Sequence, residues 1–340
     1  MASKQQNPTL AEIAKIAGVS QMTASRALNN QPGVSAQKRE AILRIADDMG
    51  YVINRAAQKL SGGRTQIIGV IAQLHSLYTS DLVLGIGSAT RAAGYEMLVY
   101  SLGDTDRRPP GNIIDLLQQF ADGVIVILPF ESDYLAPLVG AQIPIVTIDQ
   151  GDDLPFPTVA ADNYQGARMA IQHLADLGHR RIGFISGNER LASARERLRA
   201  FTDMQRQLGL DCDPDLISHG DFMQKGGFAA ANRLIGLESP PTAIFAANDV
   251  SAAGALVALR EAGRKVPEDI SVIGFDDISL ASQLYPTLST IRQPLPQMAR
   301  AAVNMLLAMI VGLEAPSQRI TLPAQLITRQ STASAKTVKL

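Results

Sequence analysis

Carboxylate and amide side chains close several apolar runs of this chain. Asp149 ends IPIVTID, Asn248 and Asp249 follow TAIFAA, and Asp276 and Asp277 follow SVIGF. Groups of this kind at strand ends bind hydroxyls through paired hydrogen bonds, or with a base nearby do acid–base work. Each also has a plainer use as the N-cap of the next helix, and Asp249, followed by Val-Ser, fits that use best. Arg197 in SARERLRAF falls early in a helix that follows a strand, where side chains face a cleft; a surface ion pair with Glu196 or Asp203 is the ordinary alternative. Phe222 in HGDF reads either as core or as a platform for a ring. His75, His173, His179 and His219 are scattered without metal-ligand spacing, and none stands by motif beside the acids. GIGSAT has two glycines of a dinucleotide fingerprint but not the third, and lies inside a helical pattern. Neither a phosphate loop nor a nucleophile elbow is present. Catalysis has little to work with.

A second set does a different job. In SQMTASRALNN, Gln21, Met22, Ser25 and Arg26 fall on one face of a short helix, while Ala24, Ala27 and Leu28 fall on the other. Arginine pairs with guanine and glutamine with adenine through two hydrogen bonds in the major groove, and methionine can touch a thymine methyl. A solvated face is the plain alternative for the polar pair, and a core position for Met22.

The elements that would position these residues come in two styles. Thr9 and Glu12 form a capping box ahead of Leu10, Ile13, Ala14 and Ala17. Gly18 permits a sharp turn, Val19 is a wedge, and Ser20 caps the helix carrying Arg26. Ser35 caps a third helix with Ile42, Ile45, Ala46 and Met49, ended by Gly50. Three such helices predict a helix-turn-helix domain. NRAAQKLSGG then predicts a short hinge helix and linker, with Leu60 either packed into its own domain or wedged between base steps. From residue 65 onward, apolar strands alternate with amphipathic helices in two successive sets, predicting two α/β subdomains of parallel sheet with a cleft at the strand C-termini.

The totals agree with this division. The chain has 340 residues, 46% hydrophobic and 19% charged, enough for two or three packed domains. Residues 1–64 hold nine Lys and Arg against four acids, so a basic head precedes an acidic body. Without an export-type apolar segment or a long apolar run, and with Cys212 the single cysteine, a cytoplasmic protein is expected.

Taken in order, TLAEIAKIAGVSQMTASRALNN, NRAAQKL, HLADLGHRRIGFISG, SARERLRAF, FAANDVSAAGAL and VPEDISVIGFDD…YPTLSTIRQP resemble the LacI/GalR (lactose-repressor/galactose-repressor) family of bacterial transcription regulators, from about residue 9 to 332. The resemblance implies a headpiece over 1–52, a hinge over 53–64, and a periplasmic-binding-protein-like effector and dimerisation domain over 65–340. Within that domain it implies an N-subdomain of about 65–161 and 294–321 and a C-subdomain of about 162–293 and 322–332, with crossovers near Asp162, Gln293 and Leu322. It puts Thr9, Ser20, Gln21, Met22, Thr23, Ser25, Arg26 and Asn29 at the DNA, Ser20, Thr23 and Ser25 near phosphates. Asn54, Ala57 and Leu60 fall in the hinge helix, with the leucine in the minor groove. It puts Asp149, Arg197, Phe222, Asn248, Asp276 and Gln293 in the effector cleft. HSLYTSD departs from the family's S-N-P-F-F, leaving Ser76 and Tyr78 as substitutes on that wall. The implied protein is a homodimer on a pseudo-palindromic operator, a repressor of a carbohydrate-use operon with no cofactor and a sugar as effector. The tail STASAKTVKL, with no leucine heptad, favours a dimer over a tetramer. A purine or nucleoside effector, a cytoplasmic α/β enzyme and a transport binding protein are the alternatives.

Overall fold

The computed structural model describes residues 8–29, 31–51, 63–74, 76–102, 110–127, 138–151, 155–315 and 318–335. Asn54, Ala57 and Leu60 of the expected hinge helix lie outside them. The chain forms two units, Met1–Thr65 and Gln66–Leu340.

The first unit is three helices: α1 (Leu10–Ile16), α2 (Gln21–Leu28) and α3 (Ala36–Asp48). Both halves of the Thr9–Glu12 capping box are present. Ser20 and Ser35 cap the other two helices by accepting from the N–H groups of Thr23 and Lys38. Gly18 holds φ +64°, a left-handed turn that any side chain would strain, and this joins α1 to α2 without a longer loop. Ile13, Ala14, Ala24, Ala27, Ile42 and Ala46 make the small core. Val19 is half-buried at its edge.

The second unit holds two parallel sheets. The first has β1 (Ile67–Ala72), β2 (Glu96–Ser101), β3 (Gly123–Ile127), β4 (Ile145–Ile148), β5 (Thr158–Ala161) and β11 (Arg319–Leu322), in the order β11-β5-β4-β3-β1-β2. Against one face lie α4 (Leu77–Ala92) and α11 (Leu295–Ile310), through Leu82, Ile86, Met298, Ala302 and Leu306; against the other lies α5 (Pro110–Phe120), through Ile113, Ile114 and Leu117. The second sheet has β6 (Ile182–Ile185), β7 (Ile217–Ser218), β8 (Ala243–Ala246) and β9 (Ser271–Ile273), in the order β7-β6-β8-β9. Its faces are covered by α6 (Asn163–Asp176) with α7 (Ala192–Gln207), and by α8 (Gln224–Ile235) with α9 (Asp249–Glu261). The short α10 (Ser279–Gln283) adds Ala281 to the latter side. Burial on both faces is why the inner strands read as unbroken apolar runs.

The chain passes between the sheets three times. It leaves the first after β5, where Asp162 caps α6 by accepting from Gln165 N–H at 2.9 Å. It returns between β10 (Thr290–Arg292) and α11, then crosses again from β11 to β12 (Gln325–Ile327). β10 and β12 pair antiparallel, the one departure from purely parallel sheet among the described residues, and Asp162 N–H donates to Leu322 O across two of the crossings. β5, β10, β11 and β12 were not apparent in the sequence. At three or four residues each, they are too short to show a period.

Candidate functional site

On the first unit, α2 presents its polar face. Gln21, Met22 and Arg26 are exposed, Met22 by 65%, which removes the core reading of that methionine. The Ser20 and Thr23 hydroxyls pair at 2.9 Å where α2 begins, and Asn29 donates to Ser25 Oγ at 3.3 Å one turn further along. Ser25, Thr23 and Asn29 are half-buried. Thr9 belongs to the start of α1, where it is the helix cap.

On the second unit, residues far apart in the chain converge at the strand C-termini. Tyr78 in the first turns of α4 donates its hydroxyl to Asp149, which follows β4; both are buried. The same hydroxyl lies 3.5 Å from Gln293 Oε1, in the crossing between β10 and α11. Gln293 Nε2 donates to Asp276 Oδ1 at 2.7 Å. Arg197, on α7, is 3% exposed. It donates from Nε and Nη2 to Asn163 Oδ1 at 3.0 and 2.7 Å and from Nη1 to Ala247 O at 2.5 Å, and stands 3.6 Å from Asp276. Its guanidinium lies over Phe275 at 3.7 Å and 5.8 Å from the Phe222 ring centroid. Neither surface partner expected for it, Glu196 or Asp203, is used; burial selects the interior acceptors.

Burial raises the carboxyl pKa of Asp149 against the opposing pull of the Tyr78 hydrogen bond and Arg197. Asp276 is raised by burial to about 7, with Arg197 and Gln293 pulling it down. Asp149 Oδ1 is buried and, among the described residues, meets no partner at hydrogen-bonding geometry. A buried acceptor left so is ready for a donor from elsewhere. Asp149, Phe222, Asp276 and Asp277 hold φ between +55° and +115°. Such backbone is rare for a non-glycine residue, most of all for phenylalanine, and clusters where a site over-determines it.

One expectation is corrected. Asn248, not Asp249, caps α9: its Oδ1 accepts from Ser251 N–H at 2.8 Å, while its Nδ2 donates to Phe222 O at 3.0 Å. Asp249 is fully buried and accepts instead from Thr290 Oγ1 and Ile278 N–H. Ser76 stands half-buried directly ahead of α4 with no side-chain capping bond, two residues before the buried Tyr78. Phe222 is half-buried, packed on the second lobe's core while its ring reaches the Arg197 side. Asn163 was missed. Its signal was present, directly after Asp162 at the first crossover, but an asparagine opening a helix reads as a cap.

Two family models match the chain: "Bacterial regulatory proteins, lacI family" over residues 9–54 and "Periplasmic binding protein-like domain" over residues 171–332. The HTH-type transcriptional regulator CelR of Thermobifida fusca is 32% identical over 340 residues, covering 96% of this chain and 99% of the relative. This chain belongs to the LacI family. MalR of Streptomyces coelicolor, another HTH-type transcriptional regulator, is 34% identical over 96% of this LacI-family chain and 97% of its own length. The Lac repressor dimer bound to operator and the anti-inducer ONPF superposes with TM-score 0.85 at 30% identity, over 96% of this chain and all of that one. The CelR–cellobiose complex gives TM-score 0.72 at 31% identity, over 95% and 99%. These relatives are regulators, and the enzyme alternative falls: the LacI-family chain is a DNA-binding transcription regulator with a ligand-binding unit of periplasmic-binding-protein type. Among the described residues no helix is long and apolar enough to cross a membrane.

Proposed function

We propose that this regulator is a cytoplasmic repressor of carbohydrate use that binds a pseudo-palindromic operator as a homodimer and is switched by an uncharged sugar. Gln21, Met22 and Arg26 read base edges, while Ser20, Thr23 and Ser25 meet phosphates, with Thr9 and Asn29 at the ends of the interface. Asn54, Ala57 and Leu60 act in the hinge. The sugar takes its hydrogen bonds from Asp149, Arg197, Asn248, Asp276 and Gln293, with Tyr78 and Ser76 on the opposite wall and Phe222 against the ring's apolar face.

The observation that carries this reading is the buried polar chain Tyr78–Asp149 and Tyr78–Gln293–Asp276–Arg197, which joins the two lobes through side chains of both. A ligand seated among these groups must exchange some of these bonds for its own. That changes how the lobes are held together, and a differential affinity of about 1–3 kcal/mol between two arrangements is ample for control. Two carboxylates beside one guanidinium favour a neutral polyol over an anion. The CelR relative, known as a cellobiose complex, adds weight to a sugar. The Phe222 ring is the one feature favouring a nucleoside instead, as a base would stack on it.

The test is fluorescence polarisation of the full chain on duplexes from upstream of its own and neighbouring genes, with and without glucose, galactose, common disaccharides, sugar phosphates and nucleosides. Salt-resistant binding to one duplex over a scrambled one, altered at least tenfold by a sugar, is expected. Equal binding to all duplexes, or a response to nucleosides alone, overturns the reading.

A further inference from the structure

Asp277 stands directly after Asp276, yet its carboxylate serves other partners. Its Oδ2 accepts from Arg292 Nε and its Oδ1 from Arg329 Nη2, both at 2.6 Å, and its side chain is 5% exposed. Two guanidinium groups on one enclosed carboxylate make charge-assisted bonds, shorter and stronger than neutral ones. None of these three residues is assigned above to the effector.

The two arginines belong to different crossings between the lobes. Arg292 ends β10, and Gln293 after it begins the passage to α11. Arg329 lies two residues beyond β12, which the chain enters after its last crossing. It is fixed in turn by its N–H on Ser289 Oγ at 2.8 Å and its Nη1 on Leu288 O at 2.7 Å, just ahead of β10. β10 and β12 pair with Arg292 opposite Gln325. Asp277 therefore clasps the strand that leaves for the first lobe and the segment that returns from it.

The loop carrying both acids is held as one piece. Asp276 and Asp277 have φ +115° and +55°, backbone that persists only where its surroundings over-determine it. Here Asp249 closes the loop from both ends: its N–H donates to Phe275 O at 2.8 Å, and its Oδ2 accepts from Ile278 N–H at 3.0 Å. A Cβ on Gly274 would fall 2.3 Å from Asp249 Oδ1, so this seat requires glycine. Asp276 N–H donates to Ile291 O at 2.7 Å, and its carbonyl accepts from Gln293 N–H at 3.1 Å. With so little slack, a ligand that draws on Asp276 turns Asp277 and its two arginines with it. Hinges are a few residues at element ends that absorb backbone change, and Arg292 and Gln293 occupy such a place.

We infer that Asp277 is the positioning residue of the switch: through Arg292 and Arg329 it carries the engagement of Asp276 into two of the crossings, and it touches no ligand itself. This rests on the sugar reading above. A ligand changes operator binding only through its different affinities for two arrangements of the protein. Loss of the clasp uncouples the two sites and leaves the contacts of the cleft in place.

The test uses the full chain, its preferred duplex, and glucose, galactose, cellobiose, maltose and adenosine as probes. Calorimetry reads probe affinity, and polarisation reads operator affinity with and without saturating probe. In Asp277→Asn the ratio of the two operator affinities is expected to fall from at least about tenfold to under about twofold, with sugar affinity within about threefold of wild type. Arg292→Gln, at a half-exposed side chain that folding tolerates, should lose about threefold of that ratio, and Arg292→Lys should recover most of it. A ratio unchanged in both Asp277→Asn and Arg292→Gln overturns the inference and leaves the sugar reading standing. So does sugar affinity that falls in step with the ratio, which would place Asp277 in the ligand site or make it merely structural. If adenosine alone moves operator binding, the sugar reading falls and the same ratios, taken with adenosine, decide on Asp277. If no probe moves it in the wild type, both fall.

Discussion

The face of α2 and the cleft of the second unit treat polar side chains in opposite ways. On α2, Gln21 and Arg26 are exposed, and the neighbouring hydroxyl and amide bonds, Ser20 to Thr23 and Ser25 to Asn29, span three and four residues. In the cleft the groups are buried, and their partners lie far away in sequence: 71 residues for Tyr78 and Asp149, 34 for Arg197 and Asn163, 215 for Tyr78 and Gln293. A surface of the first kind is offered to its partner and needs no rearrangement beyond desolvation. A site of the second kind already satisfies most of its needs internally, so a ligand must replace bonds rather than add them. The first is built to bind. The second is built to change state, since every new contact is made at the cost of one between the lobes.

Arg197→Ala tests the second half of that contrast most severely. It leaves Asn163 Oδ1 and Ala247 O without their buried donor and Asp276 without its cation, and breaking a buried charged pair from one side costs about 3–5 kcal/mol. Ligand affinity is expected to fall by more than about a hundredfold, with a matching loss in urea stability, while operator affinity stays within about threefold. Arg197→Lys keeps the charge but loses the fork onto Asn163, and is expected to fall between the two. Calorimetry and polarisation on the same preparations read both sites. Unchanged ligand affinity in Arg197→Ala removes the residue from the site.

The same contrast explains what could be read from the sequence. The headpiece was legible almost residue by residue because its determinants are local: a capping box over Thr9–Glu12, a left-handed Gly18, caps at Ser20 and Ser35. The inner strands were legible from their apolar runs. The resemblance to a family, and not any spacing, brought Asp149, Arg197, Asp276 and Gln293 together on paper. Asn163 escaped notice because nothing local distinguishes an asparagine that accepts two bonds from Arg197 from one that merely opens a helix. The exchange of roles between Asn248 and Asp249 has the same root. A one-residue shift in where α9 begins decides which side chain caps it and which is carried inward to Thr290. Short β10 and β12 are fixed by the crossings they flank, which no window of sequence contains.

Arg26→Ala probes the exposed half. Its loss removes one paired contact to a base, worth about 1–3 kcal/mol, so operator affinity should drop about thirtyfold for a mid-range value. Discrimination at one base pair should relax, with ligand affinity and melting temperature unchanged. Polarisation on a panel of single-base operator variants checks this. A uniform loss across all duplexes would instead make Arg26 a phosphate contact, and the contrast would then lie in charge rather than in readout.

The pH dependence of ligand binding is the subtlest consequence, and its sign follows from which form of Asp276 the ligand prefers. Burial holds Asp276 at about 7, with Arg197 and Gln293 favouring its carboxylate and Asp149 opposing it. A sugar hydroxyl donating to the carboxylate adds to the first two, so binding lowers this pKa and releases a proton. Affinity should therefore rise about tenfold between about pH 6 and 8 and level off above. For folding the same shift acts in reverse. The native state holds this proton where the unfolded chain has lost it, so the stability this group contributes is complete below about pH 4 and is lost as pH climbs through about 7. Asp276→Asn should abolish the pH slope of binding while leaving the operator affinity of the free protein flat across the range. If the slope persists in Asp276→Asn, the titrating group is another member of the cluster, and Asp149, also raised by burial and with Oδ1 unpartnered among the described residues, is the next to substitute. Either outcome keeps the distinction under test, because the group that titrates is one enclosed between two lobes.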